Sequence, residues 1–110
     1  MNKVKVAKCY IQEDILSTHK VEVGSVFHSV VDRDIGYIGL NLDYILPHLS
    51  NLDKEDVELV LKYLIYEFSK ENLQVKNLDI QQSDLLEVLT QNHVNLIQFS
   101  KPFEAKFKQK

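Results

Sequence analysis

Hydrophobic and polar residues alternate at the start of the chain, in KVKVAKCYI at residues 3–11. A period of two with β-branched residues predicts a strand there. Residues 20–31, KVEVGSVFHSVV, and residues 37–42, YIGLNL, are also rich in β-forming residues. The connection between them, DRDIG, contains the aspartate and glycine that are typical of turns, so the two segments predict a β-hairpin.

The strongest helical pattern covers residues 53–71, DKEDVELVLKYLIYEFSKE. Its core face consists of apolar residues that recur every three or four positions: Val57, Val60, Leu61, Leu64 and Phe68. Asp53 is a suitable N-cap with Asp56 three residues later, and Leu52 before the cap fits a hydrophobic staple. Asn72 is expected to end this helix in the left-handed conformation.

The last third of the chain predicts shorter elements. Alternation indicates strands at 73–78 and 94–99, and a second helix is expected at 80–92. Its inward positions are three leucines: Leu85, Leu86 and Leu89. Residues 102–109 alternate, which favours an edge strand. A helix is the alternative, because three aromatic residues here recur at a spacing of four: Phe99, Phe103 and Phe107.

Strands come first and helices later in this order of elements, which predicts an α+β fold. We expect a mostly antiparallel sheet of four to six strands, with the two main helices, at about 53–71 and 80–92, packed on one face. The chain has 110 residues, 45% of them hydrophobic and 26% charged, which fits a single globular domain over 1–110. No stretch approaches the roughly 18 apolar residues of a membrane helix.

The first ten residues, MNKVKVAKCY, contain lysines without an uninterrupted apolar run after them, so no secretory signal is expected. The single cysteine, Cys9, excludes a disulfide framework and a multi-cysteine zinc site. We therefore expect a cytoplasmic protein with a reduced thiol. Cys9 could act as a nucleophile only with an imidazole beside it, and no motif places one there. No cofactor-binding motif occurs, so no cofactor is expected.

The net charge of −3 is unevenly distributed. Residues 1–8 carry three lysines and no acid, and residues 101–110 carry four lysines and one glutamate, so both ends are basic and the middle is acidic. If the ends meet in space, they form one basic patch for an acidic partner from four lysines: Lys3, Lys5, Lys106 and Lys108. The alternative is that these lysines only protect sheet edges. Nucleic-acid binding is disfavoured because three acids at the start of the long helix would repel phosphates.

One constellation could carry chemistry, in the segment HSVVDRD that begins at His28. On an extended chain His28, Asp32 and Asp34 share one face. An imidazole with two carboxylates suits Mn²⁺, Mg²⁺ or Zn²⁺, so a small metal-dependent hydrolase is one hypothesis. The competing interpretation, which the sequence favours, is a hairpin turn capped by the two aspartates, with no metal bound.

Three large side chains lie off the core face of the long helix: Leu59, Tyr63 and Tyr66. Tyrosine is enriched at interfaces because it combines an apolar body with a polar tip. The pattern therefore predicts a surface that contacts a partner protein or a second copy of the chain, with a two-fold homodimer as the favoured form. The alternative is that these side chains pack beneath the tail or a neighbouring strand.

Together these features favour a protein-binding module that regulates or inhibits a partner by direct contact, rather than an enzyme. Twelve of the 13 basic residues are lysine, a bias typical of AT-rich genomes that would suit an accessory protein of a phage or mobile element. Two rival hypotheses stand beside it. They are the metal-dependent hydrolase and a nucleic-acid-associated regulator that acts through the basic ends.

Overall fold

A computed structural model of the chain describes residues 3–13, 19–91 and 96–106. These residues form five strands, namely β1 (Lys3–Ile11), β2 (Val21–Ser29), β3 (Asp34–Gly39), β4 (Ile97–Phe99) and β5 (Phe103–Lys106). They also form four α-helices, namely α1 (Leu42–Ile45), α2 (Lys54–Glu67), α3 (Lys70–Val75) and α4 (Leu85–Thr90). A 3₁₀ turn, Leu46–His48, follows α1. The predicted α+β class is confirmed.

All strand pairs in the sheet are antiparallel, and the order is β3-β2-β1 with β4 and β5 sharing the far edge of β1. β4 pairs with the C-terminal end of β1, and β5 pairs with its N-terminal end. The hairpin predicted around DRDIG is present as β2 and β3. The edge strand predicted in the tail is present as β5, while residues 107–109 of that prediction lie outside the described residues.

Ser100 carries the hydrogen bonding of β1 across the gap between β4 and β5. The Lys8 N–H donates to Ser100 Oγ at 2.8 Å, and the Ser100 N–H donates to the Lys8 carbonyl at 2.9 Å. Pro102, which follows closely, has no N–H to offer a strand partner. Ser100 therefore provides the hydrogen-bond partners of the Lys8 backbone, at the point where the strand pairing along β1 is interrupted.

A β-bulge decides which side chains of β2 reach the core. Cys9 pairs with Gly24 and Tyr10 pairs with Glu22, so β2 carries one extra residue between them. The bulge shifts the alternation by one, and Val23 and Val26 both point to the same face despite their opposite parity. α2 packs over β3 on this face, and α4 packs over β1 and β2.

The long helix predicted at 53–71 is two helices in the structure. α2 ends at Glu67, and the Ser69 side chain then caps α3 by accepting a hydrogen bond from the Asn72 N–H at 3.2 Å. Asn72, predicted to end the helix, is buried inside α3, where its side chain donates to the Glu67 carbonyl at 2.8 Å. Asn77, with φ of 58°, takes the left-handed position instead.

Two further predictions differ from the structure. The strand predicted at 73–78 is wrong because its first half belongs to α3. The second helix begins at Leu85 rather than at residue 80, since residues 79–84 form turns, in one of which Asp79 Oδ1 accepts from the Gln81 N–H at 2.9 Å. Its three predicted inward leucines are nevertheless buried. Within the described ranges, no helix combines the length and apolar character needed to cross a bilayer.

We predict that Asp53→Ala lowers the free energy of unfolding by about 1 kcal/mol, the usual contribution of an N-cap. Asp53 Oδ1 accepts from the Asp56 N–H at 2.9 Å, and Asp56 Oδ2 accepts from the Asp53 N–H at 3.3 Å, which completes a capping box. Urea denaturation measures the change. Glu55→Ala is the control, because it removes a first-turn charge without a capping bond and should cost much less. Equal losses in the two variants would contradict the prediction.

Candidate interaction surfaces

The three side chains predicted as an interface form a continuous stripe on α2, hereafter the α2 stripe: Leu59, Tyr63 and Tyr66. Their exposed fractions are 65%, 41% and 43%, respectively. At 100° per residue they lie on the side of the helix opposite Val57 and Leu64, which are fully buried. The spacing of four and then three residues places them next to one another along the helix.

The flank of the α2 stripe that faces α4 borders a groove of about 360 Å³. Tyr63 lines it together with Glu67 and Lys76, whose side chains form an ion pair at 2.7 Å. Partial burial raises the pKa of Tyr63 above its usual value, and the nearby Glu67 carboxylate adds to this rise. The hydroxyl is therefore neutral at physiological pH.

Two charged residues border the α2 stripe. Glu55 stands in the first turn of α2, one turn before Leu59, and Lys62 stands next to Tyr63 in the middle of the stripe. The last turn of α2 carries no base. A partner that places opposite charges against Glu55 and Lys62 would be favoured.

A second apolar surface lies on the face of the sheet opposite the helices, hereafter the outer sheet face: Val4, Val6, Phe27, Ile38 and Phe103. The register places Phe27 and Phe103 on either side of Val6. These residues are half-buried or exposed, with Ile38 at 66%. A groove of about 350 Å³ follows part of this face.

The prediction from sequence missed the outer sheet face, yet a signal for it exists in β1. Val4 and Val6 share one parity, whereas Ala7, Cys9 and Ile11 share the other. The side of the strand that carries the apolar residues thus changes between residues 6 and 7. The first half of β1 supplies apolar side chains to the outer sheet face, and the second half supplies them to the helix-covered core.

The two basic ends lie side by side in the sheet. Lys3 of β1 pairs with Lys106 of β5, and Lys5 pairs with Glu104. The Lys5 ammonium donates to the Ser83 carbonyl at 3.0 Å, so this lysine also anchors the turn before α4. Lys108, the fourth residue of the predicted patch, lies outside the described residues.

The structure does not bring His28, Asp32 and Asp34 together. His28 is buried on the helix-covered face, where its Nε2 lies 2.6 Å from the Ile80 carbonyl oxygen. Asp32 accepts a hydrogen bond from the Ser29 hydroxyl, and Asp34 accepts one from the Ile35 N–H. Because the chain reverses at residues 30–33, the parity argument fails. In the described part of the chain, no group of three His, Cys, Asp or Glu residues could hold a metal ion.

Cys9 is fully buried at the centre of the sheet. Burial raises the pKa of its thiol from 9.0 to about 12, and the negative charge of Glu22 adds to this rise. A hydrogen bond with the Val26 backbone lowers the pKa, but by less than burial raises it. The thiolate is therefore scarce at neutral pH, and the side chain behaves as a small core residue.

Arg33, the single arginine, lies beside a groove of about 360 Å³ that Lys70 and Asp79 also line. With the Gln81 amide turned so that its oxygen faces the guanidinium, this oxygen accepts from Nη2 at 2.8 Å and from Nε at 3.2 Å. One edge of the guanidinium is thus already held within the chain.

The chain matches no protein-family model, no curated protein and no solved structure. Among its surfaces, the α2 stripe and the outer sheet face expose the largest apolar side chains close together.

We predict that native Cys9 reacts with a disulfide reagent at pH 8 at least about 100-fold more slowly than the urea-unfolded chain, because both burial and the raised pKa suppress the thiolate.

The raised pKa also predicts how stability changes with pH. As the pH rises, the thiol of the unfolded chain loses its proton at a lower pH than the thiol of the folded chain. The stability that the buried thiol contributes is therefore intact below pH 9 and falls as the pH rises from 9.0 toward about 12. Cys9→Ala should remove this part of the alkaline dependence. Fast labelling of the native protein would contradict the burial.

We predict that His28→Leu lowers the free energy of unfolding by about 1–3 kcal/mol, because the Ile80 carbonyl loses its side-chain partner. Asp34→Asn is the control, since its remaining oxygen can still accept from the Ile35 N–H. Denaturation with and without EDTA should give the same midpoint for the wild type. A stoichiometric metal found by elemental analysis, together with destabilisation by EDTA, would restore the metal hypothesis.

Proposed function

We propose that this protein is a protein-binding module that regulates or inhibits a partner protein by direct contact through the α2 stripe. The observation that carries the proposal is the exposure of Leu59, Tyr63 and Tyr66 side by side, on the side of α2 turned away from the core. Exposed apolar area costs about 25 cal/mol per Å² in water, so contiguous patches usually mark interaction surfaces.

The chemistry of the stripe suits an amphipathic helix as its occupant. Apolar side chains at positions i, i+4 and i+7 are how one helix presents itself to another. Glu55 and Lys62 border the stripe, so they favour a partner helix that places opposite charges against them. On that partner, basic residues would lie opposite Glu55 and acidic residues opposite Lys62.

The rival hypotheses have less support. The hydrolase would need His28, Asp32 and Asp34 on one site, and these residues occupy different parts of the sheet and turn. A nucleic-acid regulator would use the paired basic ends, where Glu104 stands opposite Lys5. As part of the proposal, the protein acts in the cytoplasm as an accessory protein of a phage or mobile element, which its lysine-rich, arginine-poor composition suits.

A photo-crosslinking amino acid in place of Tyr66 tests the proposal in cells of the source organism. It should form an adduct with one other protein, which mass spectrometry then identifies. The control places the same amino acid at Val31, which is 75% exposed in the hairpin turn. An adduct with this chain alone, or the same adducts from both positions, would contradict the assignment of the α2 stripe to a different protein.

We predict that Tyr63→Glu with Tyr66→Glu weakens binding of the identified partner by at least about 100-fold, because a hot-spot tyrosine contributes about 2 kcal/mol. Circular dichroism should show that the variant remains folded, since both rings are largely outside the core. Val75→Glu, at a residue that is 72% exposed on α3, is the matched control and should bind normally. Affinity that falls steeply with salt but is unaffected by the double change would instead favour the basic ends.

A further inference from the structure

The two edges of the sheet differ in how they are protected against pairing with another chain. The edge formed by β4 and β5 is interrupted near Pro102 and carries Lys101 and Lys106. Proline and lysine are common means of blocking edge-to-edge association. β3 forms the other edge with the sequence DIGYIG, which contains neither residue. The β3 edge is therefore the unprotected one.

Alternate residues of β3 direct their backbone groups outward. The Leu40 N–H donates to the Val23 carbonyl at 2.9 Å, so residues of even number along β3 bond to β2. Ile35, Tyr37 and Gly39 then present their N–H and C=O groups to the open side. The Ile35 N–H is already satisfied by Asp34 Oδ1 at 3.0 Å. By the same alternation, the N–H groups of Tyr37 and Gly39 point away from β2.

We propose that β3 pairs antiparallel with β3 of a second copy, about a two-fold axis at Tyr37, so that two sheets join into one. In this register the Tyr37 N–H of each copy donates to the Tyr37 carbonyl of the other. The Gly39 N–H of each donates to the Ile35 carbonyl of the other. The Ile35 N–H of each copy faces the Gly39 carbonyl of the other, and within the single chain this N–H already donates to Asp34 Oδ1 at 3.0 Å.

The side chains are self-complementary in the same register. Ile38, which is 66% exposed, comes to lie opposite Gly36 of the second copy. The Phe27 ring lies against this glycine, 2.8 Å from where a Cβ would stand. Ile38 would thus cover the edge of that aromatic ring, and the outer sheet face would become continuous across the two copies.

The helices are compatible with this arrangement. A two-fold axis at an antiparallel pair is perpendicular to the sheet, so both helix layers lie on the same side. α2 packs over β3 and α4 packs over β1 and β2, so the flank of α2 away from α4 lies toward the axis. That flank carries Leu61 and Ile65, and Ile65 is 56% exposed. It would face the same flank of the second copy.

A second copy fits this edge better than an unrelated extended peptide. In this register the outward backbone groups of the two β3 strands face one another. The two Asp34 carboxylates lie at opposite ends of the pair. It also leaves the α2 stripe on the solvent side of each copy. The pairing of β3 requires no partner on that stripe, and the dimer would display the stripe twice.

Sedimentation equilibrium from low micromolar to about 0.5 mM protein tests the proposal. The wild type should show twice the chain mass of 12.8 kDa, and Ile38→Lys should raise the dissociation constant at least tenfold. Ile38→Val should preserve the dimer, as should Val31→Lys in the exposed hairpin turn. Tyr63→Glu with Tyr66→Glu should also remain dimeric. A monomeric wild type, or a dimer broken by the tyrosine changes but not by Ile38→Lys, would overturn the proposal.

A measurement on the wild type covers the case in which Ile38→Lys does not fold. In a dimer assembled from isotope-labelled and unlabelled chains, NMR should show a cross-peak between Hα of Ile38 in one chain and Hα of Gly36 in the other. Residues that face each other without hydrogen bonds bring their Hα atoms closest in an antiparallel pair. The Tyr37 and Gly39 amides should also exchange slowly. Cross-peaks confined to α2, with fast exchange at Tyr37, would reject the edge pairing.

Discussion

The structure depends on the closure of β1 by the last described part of the chain. β1 is central in the sheet, so its backbone groups need partners on both sides, and β2 supplies only one. β4 and β5 supply the other, and Ser100 bonds to Lys8 where these two strands do not meet. This pairing holds the first and last thirds of the chain together. It also leaves β3 as the edge that stays open.

The two faces of the sheet follow from how β1 and β2 alternate. β1 changes its apolar side between Val6 and Ala7, and the bulge of β2 turns Val23 and Val26 to the same side. One face thereby becomes a continuous core beneath α2 and α4. The other retains Phe27, Val6 and Phe103 as an uncovered band. The candidate surfaces of the protein lie outside this core, on the far side of α2, on the outer sheet face and along the edge of β3.

Features that depend on neighbours in the sequence were predictable. The hairpin around DRDIG, the capping box at Asp53 and the inward leucines of α4 all follow from turn and helix chemistry within a few residues. The end of α2 was not predicted. Nothing in its periodicity shows that Ser69 will cap a new helix and that Asn72 will be buried beneath it. The rival metal-site hypothesis assumed an extended chain from His28 to Asp34, whereas the chain forms a turn at residues 30–33.

The sequence by itself determined the α+β class, the position of the main helix and the identity of the α2 stripe, because periodicity separates the two sides of a helix without knowledge of the rest. Only the tertiary structure decided which strands are edges, which face of the sheet stays uncovered and where His28 points. Those properties depend on pairings between residues far apart in the chain, such as Lys3 with Lys106 and Cys9 with Phe99. Local patterns specify which residues can pair in a strand, but the partner of a strand is chosen by the energy of the whole sheet and core.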